Sequence, residues 1–558
     1  MEKLIKDLNK QNNNLCKIFN TMGSSVVIFN NNEILYKYNY GYINKEKQIK
    51  TSDDSYFMIG SNTKVLTSLA IFKLLEEKKL SLDDDIKKYI PEFSIKSLIE
   101  YDKITIQNLL MHRSGIQSDL YNYIFDDTKE YHQIIDAIKE TYLTSKPGTM
   151  YSYSNIGYTL LGIIIERISS LSYEEYIYEY ISKPLNIDIR INPQLNDDNL
   201  SLSYDKLGKQ TKDKCACLLP AGSNTYMKII DLVKIGQLFL NNGIHNGIKI
   251  YEPSTIEKMK QLDLNTEIDQ IISNAGHGLL HNDYHFDGVG KIYGHGGDTI
   301  CHHSMFNFIP EQNIGVIVFT NSEKAAILSR ILGISNLSRY LSFLGYNIPK
   351  KLSNEYKHID LNIDKYIGTY ATSIGILDIK KDKKGNLVTV ITKIPVKLVP
   401  CEDEYLQAYP NKLLYKLPFF KNAIKNVRLK LIKYNAEEIL LLEQINKNQK
   451  TKILIGRKYK NNKKDNLWYS SLGEYQITNF NQEKTKFKLD LDEDKLRIII
   501  DLNYEKTTKY LYIINDNLSF VQGFGRETND ACFLEERDNK IYLTCNGLIG
   551  VKEKEIKC

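Results

Sequence analysis

The sequence predicts an α/β chain of the α+β kind, one sheet covered by helices, followed by an all-β barrel region. Three observations carry this reading. Composition changes near residue 350: before it, helical patterns alternate with short strands, and after it strand patterns separated by turn residues dominate. Strand patterns stand at both ends of the first segment with helices between them, which brings strands from both termini into one sheet. The tail carries a faint repeat, Tyr366-Ile367-Gly368-Thr369-Tyr370 and Ser471-Leu472-Gly473-Glu474-Tyr475, each followed by a hairpin pattern.

In chain order, residues 1–8 read as an amphipathic helix containing acids and no apolar h-region, which is not a signal peptide. Ser24 to Phe29, an Asn30-Asn31-Asn32 turn and Ile34 to Tyr36 form a β-hairpin pattern. Asn62 to Lys78 is a helix apolar on most faces, through Val65, Leu66, Leu69, Ala70, Phe72, Leu74 and Leu75, and such a helix is buried. A second apolar helix runs from about Gly157 to Ser169. Returning strands follow at Ser304–Ile309 and Gly315–Thr320. In the tail, Ile376–Ile379 with Leu387–Ile391 and Phe487–Leu491 with Leu496–Ile500 are the two hairpins, the latter alternating with period two. A chain of 558 residues holds about three or four domains at roughly 150 residues each. The division expected is 1–350, 360–460 and 468–558, or 360–558 as one larger barrel.

Composition removes some classes of function. The net charge of +6 is dilute over 558 residues, unlike the clustered basic face of a nucleic-acid-binding protein. The lysine-rich stretch from Lys447 to Lys464 reads as a solvated hairpin or linker rather than a polyanion site. No apolar run approaches the ~18 residues of a membrane span. The eight cysteines are scattered, with only Cys215 and Cys217 close, so they read as free thiols of a reducing compartment. The expected location is the cytoplasm, or outside the cell for a chain already trimmed of a leader.

Three short motifs carry chemistry. In Ser61-Asn62-Thr63-Lys64 the serine stands at the N-terminal edge of the buried helix, and residues i and i+3 share a face, so the amine reaches the hydroxyl. Backbone N–H groups at that helix start favour a developing oxyanion. The same pattern also describes a capping serine and a surface lysine. What separates the two is that this lysine opens a helix too apolar to be exposed, and a buried lysine needs a partner or a lowered pKa. In Tyr153-Ser154-Asn155 a phenol beside an ammonium is held near ionisation and shuttles a proton, while the amide both donates and accepts. In Gly294-His295-Gly296-Gly297-Asp298, glycines let a substrate backbone approach a strand edge, with His295 beside it.

In this order and spacing, residues 20 to 345 resemble the class C β-lactamase and penicillin-binding-protein-like serine hydrolases. The neighbouring text agrees: Phe57-Met58-Ile59-Gly60 before the serine, Leu109 to Gly115, Pro147 to Tyr158, and Pro220-Ala221-Gly222. The tail resembles, less specifically, the lipocalin-like β-barrel modules of D-aminopeptidases. The resemblance implies an antiparallel sheet flanked by helices, with Ser61 as acylated nucleophile and Lys64 and Tyr153 as the proton-transfer pair. It makes Asn155 a positioning residue, puts His295 and Gly297 where the β-lactamase K-T-G triad has lysine and glycine, and forms the oxyanion hole from the N–H groups of Ser61 and Asp298.

The chain departs from that pattern at Asp298, where a small residue is usual, and at His295. A histidine is mostly neutral at pH 7 and grips a substrate carboxylate weakly, which ranks β-lactamase below peptidase, amidase or esterase. Asp298 is expected to attract a substrate ammonium. The function expected is a serine hydrolase of small peptides, D-residue peptides included, or of esters. A penicillin-binding-protein-type thioesterase or cyclase and a non-catalytic sensor stand as alternatives. No cofactor is implied. A metal site among His277, His281, His285, His302 and His303, and a Cys301 nucleophile, are both disfavoured. The partner is the small substrate alone, with no nucleic acid, no membrane span and no oligomeric state assigned.

Overall fold

The computed structural model describes residues 1–124, 130–193, 197–211, 219–222, 224–262, 275–281, 289–346, 356–372, 375–391, 394–410, 427–434, 437–446, 449–462, 467–480, 485–502 and 506–552. Helix α1 (Glu2–Ile18) precedes the hairpin β1 (Gly23–Phe29) and β2 (Ile34–Asn44), with β3 (Ile49–Lys50) on its far edge. Next come α2 (Thr63–Glu76), α3 (Asn155–Ser169) and α4 (Ile229–Leu240). The chain then returns as β4 (Leu280–His281), β5 (Tyr293–Asp298), β6 (His303–Ile309) and β7 (Ile314–Thr320), and closes on α5 (Ala326–Phe343). These strands form one antiparallel sheet in the order β4-β5-β6-β7-β1-β2-β3. The expected joining of both termini is the β1–β7 pair, running from Ser24↔Thr320 to Phe29↔Gly315.

Strand alternation sorts the side chains into layers. Val26 and Ile28, with Val316 and Val318, face α1 and α5 through Leu8, Cys16, Leu328, Leu332, Leu337 and Leu341. Val27 and Phe29, with Ile317 and Phe319, face α2 and α4 through Leu66, Leu69, Leu238 and Phe239. Both faces of β1 are therefore covered, which is why it reads as a continuous apolar run rather than an alternating one. Helix α2 lies in the middle of the second layer, buried along almost its whole length. It begins with a 3₁₀ turn at Gly60–Asn62, one turn that sets Ser61 apart from the helix proper. A Cβ on Gly162 of α3 would sit 2.2 Å from Pro220, so glycine there lets the 219–222 segment close against α3 beside α2.

The tail is two closed eight-stranded barrels of consecutive, antiparallel neighbours, not one larger barrel. The first runs from Gly368–Thr372 to Gln449–Lys458 and closes through Tyr370↔Lys458; the second runs from Gly473–Ile477 to Leu548–Lys552 and closes through Gln476↔Val551. The repeat has a physical content: Tyr370 and Tyr475 are buried and each donates its phenol to the carbonyl four residues back, Tyr366 O at 2.9 Å and Ser471 O at 2.5 Å. In each barrel this bond ties the stretch just ahead of the opening strand, at the end of the turn Ile363–Tyr366 or just after the turn Leu467–Ser470, to that strand. The lysine-rich stretch includes the strand Gln449–Lys458, one side of a hairpin as expected.

Leu69 is wholly buried in α2, whereas Leu207 is 70% exposed. We expect Leu69→Ala to cost about 2–5 kcal/mol of stability and Leu207→Ala to stay within about 0.5 kcal/mol. Urea midpoints followed by circular dichroism check both.

Candidate active site

Ser61 sits in the 3₁₀ turn, at the mouth of α2, and the next turn of the helix brings Lys64 beneath it. The Lys64 Nζ is 3.1 Å from Ser61 Oγ and donates to Asn155 Oδ1 at 2.7 Å and to the Ala221 carbonyl. Lys64 is 0% exposed, and burial pushes its pKa well below the usual lysine value, with the Arg526 charge lowering it further and Asp119 raising it. The three partners fit the uncharged amine. Two are pure acceptors and take its two N–H bonds; the third is a hydroxyl, which can donate to the nitrogen lone pair.

Asn155 is the first residue of α3, and its amide orientation is fixed from behind. Its Nδ2 donates to Asp119 Oδ1 at 2.7 Å, which only accepts, so Oδ1 must face Lys64. Ser154 holds this start in place: its Oγ accepts from Gly157 N–H at 3.0 Å and donates to Gln117 O at 3.0 Å. Asp119 is wholly buried and is paired by Arg526 of the second barrel, whose Nε lies 2.8 Å from Asp119 Oδ2 with Nη2 on the same oxygen. Behind this pair, Lys509 is 3.0 Å from Glu527, and Asp530, pushed by burial up to about 8, accepts from Asn546 Nδ2 at 2.8 Å.

Tyr153 joins the same centre. Its ring centroid lies 4.9 Å from Lys64 Nζ. Burial raises this phenol above its ordinary value, and Ser61 and the Arg526 charge only partly offset that. The expectation of a phenol near ionisation is therefore corrected: burial favours the protonated phenol. Its ring packs on His112 at 4.3 Å between centroids and faces His295 at 6.2 Å. His112 Nδ1 accepts the Ser154 N–H at 3.0 Å, and burial, the largest influence, keeps the ring neutral.

Strand β5 closes the site with its stretch from His295 to Asp298, which runs past its pairing with β4 at Tyr293 and Gly294. A Cβ on Gly60 (φ +53°) would come within 3.0 Å of Asp298 N, and one on Gly297 would lie 1.9 Å from Ile59 O, so both positions need glycine. Ser304 clamps the serine turn to the sheet, donating to Ile59 O at 2.7 Å and accepting from Asn62 Nδ2 at 2.7 Å. The Ile59–Gly60 backbone that leads into Ser61 thus lies against Gly297 and Asp298. The Asp298 side chain does not join them. Alternation turns it to the other face of β5, where Oδ1 accepts from His303 at 2.8 Å and Oδ2 from Arg330 at 3.0 Å. The expected attraction for a substrate ammonium is corrected accordingly. His295 is buried on the Lys64 side and its pKa is pushed down to about 4, chiefly by burial.

The other histidines serve elsewhere. His302 Nδ1 accepts from Met58 N–H at 3.3 Å, His281 contacts Lys260 O at 2.6 Å, and His277 packs on Phe72. His285, Cys215 and Cys217 lie outside the described residues. Among the described residues no helix is long and apolar enough to cross a membrane. Sequence reasoning did not reach His112, Asp119 or Arg526. His112 stands inside a quoted motif, so its position was a signal, while Arg526 follows a Gly523-Phe524-Gly525 turn in the tail that no local pattern ties to Ser61.

An antiparallel sheet with a serine and a buried lysine on its central helix, faced by a Tyr-x-Asn segment and a glycine-rich strand, defines the β-lactamase and transpeptidase class of fold. Residues 14–329 match the family model Beta-lactamase, more than half of the chain, and the chain belongs to that family. It is similar to Protein flp of Staphylococcus aureus (strain MRSA252), 27% identical over 346 residues, which is 60% of this chain and 66% of that protein. The chain thus spans just under two thirds of that relative's length. It is also similar to the Teichoic acid D-alanine hydrolase of Staphylococcus aureus, 32% identical over 164 residues, 29% of this chain and 39% of that one. Among solved structures, the octameric penicillin-binding protein homologue from Pyrococcus abyssi shares the fold, barrels included, with a TM-score of 0.54 at 20% identity, covering 98% of this chain and 100% of that one.

The His295 shift has a consequence for stability. An unfolded imidazole titrates near 6.5 and the folded one at about 4, so between these values the unfolded chain binds the extra proton. This group's contribution is whole above pH 6.5 and declines as pH falls toward 4. We expect the wild-type urea midpoint to drop between pH 7 and 4.5 more steeply than that of His295→Gln.

Proposed function

We propose that this chain is a serine hydrolase acting through a Ser61 acyl-enzyme. The observation that carries the reading is a wholly buried Lys64 amine 3.1 Å from the Ser61 hydroxyl and 4.9 Å from the Tyr153 ring centroid. In the first step Ser61 Oγ forms a bond to the substrate carbonyl carbon while its proton passes to the Lys64 lone pair. The oxyanion is met by the N–H groups of Ser61 and Asp298, and the substrate backbone lies along Gly297. The carbon–leaving-group bond then breaks, and a proton reaches the leaving nitrogen or oxygen through Tyr153, which is replenished from the Lys64 ammonium. Water repeats the sequence in reverse and frees the acid. Asn155 holds the amine on line throughout, which makes Lys64 the base and Tyr153 the proton donor.

For substrate, we infer small amides or esters of D-residues, with peptidase or amidase action first. The second barrel's loop borders the site, with the Arg526 guanidinium carbon 5.5 Å from the Tyr153 ring centroid. The D-alanine in the name of the 32% identical relative directs the choice of residue, and keeps D-alanyl esters as the second reading. A neutral His295 weighs against a β-lactam carboxylate as the natural ligand.

A fluorophosphonate probe should label Ser61, located by mass mapping, and leave Ser61→Ala unlabelled; labelling of the alanine variant would remove the assignment. Lys64→Met should slow acylation about 10²–10⁴-fold. Because the protonated amine cannot accept the serine proton, kcat/KM should fall toward acid along a limb centred below the ordinary lysine range. D-alanyl and L-alanyl amides and esters, compared side by side, decide the substrate order.

A further inference from the structure

Among the described residues, few cations stand where a substrate at Ser61 could meet them. Lys64 is buried and committed, and His112 and His295 are held neutral. Arg526 is different: its side chain is 49% exposed, and its guanidinium carbon stands 5.5 Å from the Tyr153 ring centroid. Two of its five N–H donors go to Asp119, which leaves the outer edge of the fork directed away from that carboxylate. The loop that carries it is fixed on both sides. Glu527 N–H donates to Ser118 Oγ at 2.8 Å, Asn529 Nδ2 to Thr144 O at 2.9 Å, and Gln522 Nε2 to Lys460 O at 3.0 Å.

We propose that Arg526, reaching in from the second barrel, is the receptor for a carboxylate carried by the leaving group of the substrate. The inference rests on the Ser61 acyl-enzyme reading above. Tyr153 returns the proton to the leaving group, so what stands over its ring stands beside that group. Asp119 fixes the plane of the guanidinium from behind and balances its charge while the site is empty. When Lys64 takes the serine proton, the Lys64, Asp119 and Arg526 group gains a net positive charge, so an anion at the outer fork is held most firmly as acylation proceeds. A planar fork suits a carboxylate better than an ammonium would. The substrate class is therefore an amide or ester whose leaving amine, alcohol or thiol bears a carboxylate. The cation comes from the barrel because β5 offers only His295.

The test uses the full chain and two thioesters of N-acetyl-D-alanine, one with mercaptoacetate and one with methyl mercaptoacetate as leaving group, followed by release of thiol. Wild type should favour the carboxylate, and Arg526→Gln should lower the ratio of the two kcat/KM values about tenfold, mainly through KM. Arg526→Lys, which keeps a charge opposite Asp119, should lower it less, and serves if the glutamine variant no longer labels with fluorophosphonate. No carboxylate preference in wild type, an unchanged ratio in a variant that still labels, or an equal fall on both thioesters would overturn the proposal. Turnover by Ser61→Ala would instead overturn the acyl-enzyme reading beneath it.

Discussion

An amine without a carboxylate partner at the start of an apolar helix is the constraint around which this molecule is arranged. Taking an ammonium out of water costs several kcal/mol, and among the described residues Lys64 makes no ion pair to offset it. The lower-energy state is the free amine, whose two N–H bonds meet Asn155 and Ala221 and whose lone pair meets Ser61. Each of these partners depends on packing elsewhere. Ala221 arrives because Gly162 lets Pro220 close on α3; Asn155 arrives because Ser154 starts that helix; Ser61 is set off the helix axis by a left-handed Gly60.

Much of this was legible in residue types. The run from Val65 to Leu75 could only be a buried helix, and a lysine at its head was conspicuous for that reason. The hairpin at Gly23–Asn44 and the return of β6 and β7 followed from apolar runs and turn residues, and the barrel repeat from Gly368 and Gly473. Helix starts were displaced by a residue or two because caps, not apolar periodicity, decide them: Ser154 begins α3 at Asn155 rather than at Gly157. The direction of the Asp298 side chain was not legible, since it depends on which face of the strand each residue takes. The tyrosine's protonation was missed for a similar reason. The ring meets His112 and His295, which come from distant stretches of the chain.

The second barrel illustrates what periodicity cannot convey. Its strands pattern like those of the first, whose own buried ion pair, Arg428 with Glu443, stays inside that barrel. The second barrel instead turns its charges outward to the segment before α3, where Asn546 O accepts from Tyr121 N–H at 2.7 Å and Glu527 accepts from the Tyr121 phenol. Buried charges are tolerated there only as a matched set. Lys509 with Glu527 and Arg526 with Asp119 form that set, while Asp530, pushed to about 8, is mostly protonated at neutral pH.

It follows that the barrel belongs to the site electrically as well as sterically. Lys64, Asn155, Asp119 and Arg526 form a line of contacts at 2.7, 2.7 and 2.8 Å, in which a carboxylate stands between two basic groups. Asp119 raises the Lys64 pKa and Arg526 lowers it. Burial is the larger influence on that amine, and the Arg526 charge offsets the pull of Asp119. The second barrel shares no strand with the β1–β7 sheet, yet it supplies the counter-charge of a carboxylate that stands one amide away from Lys64.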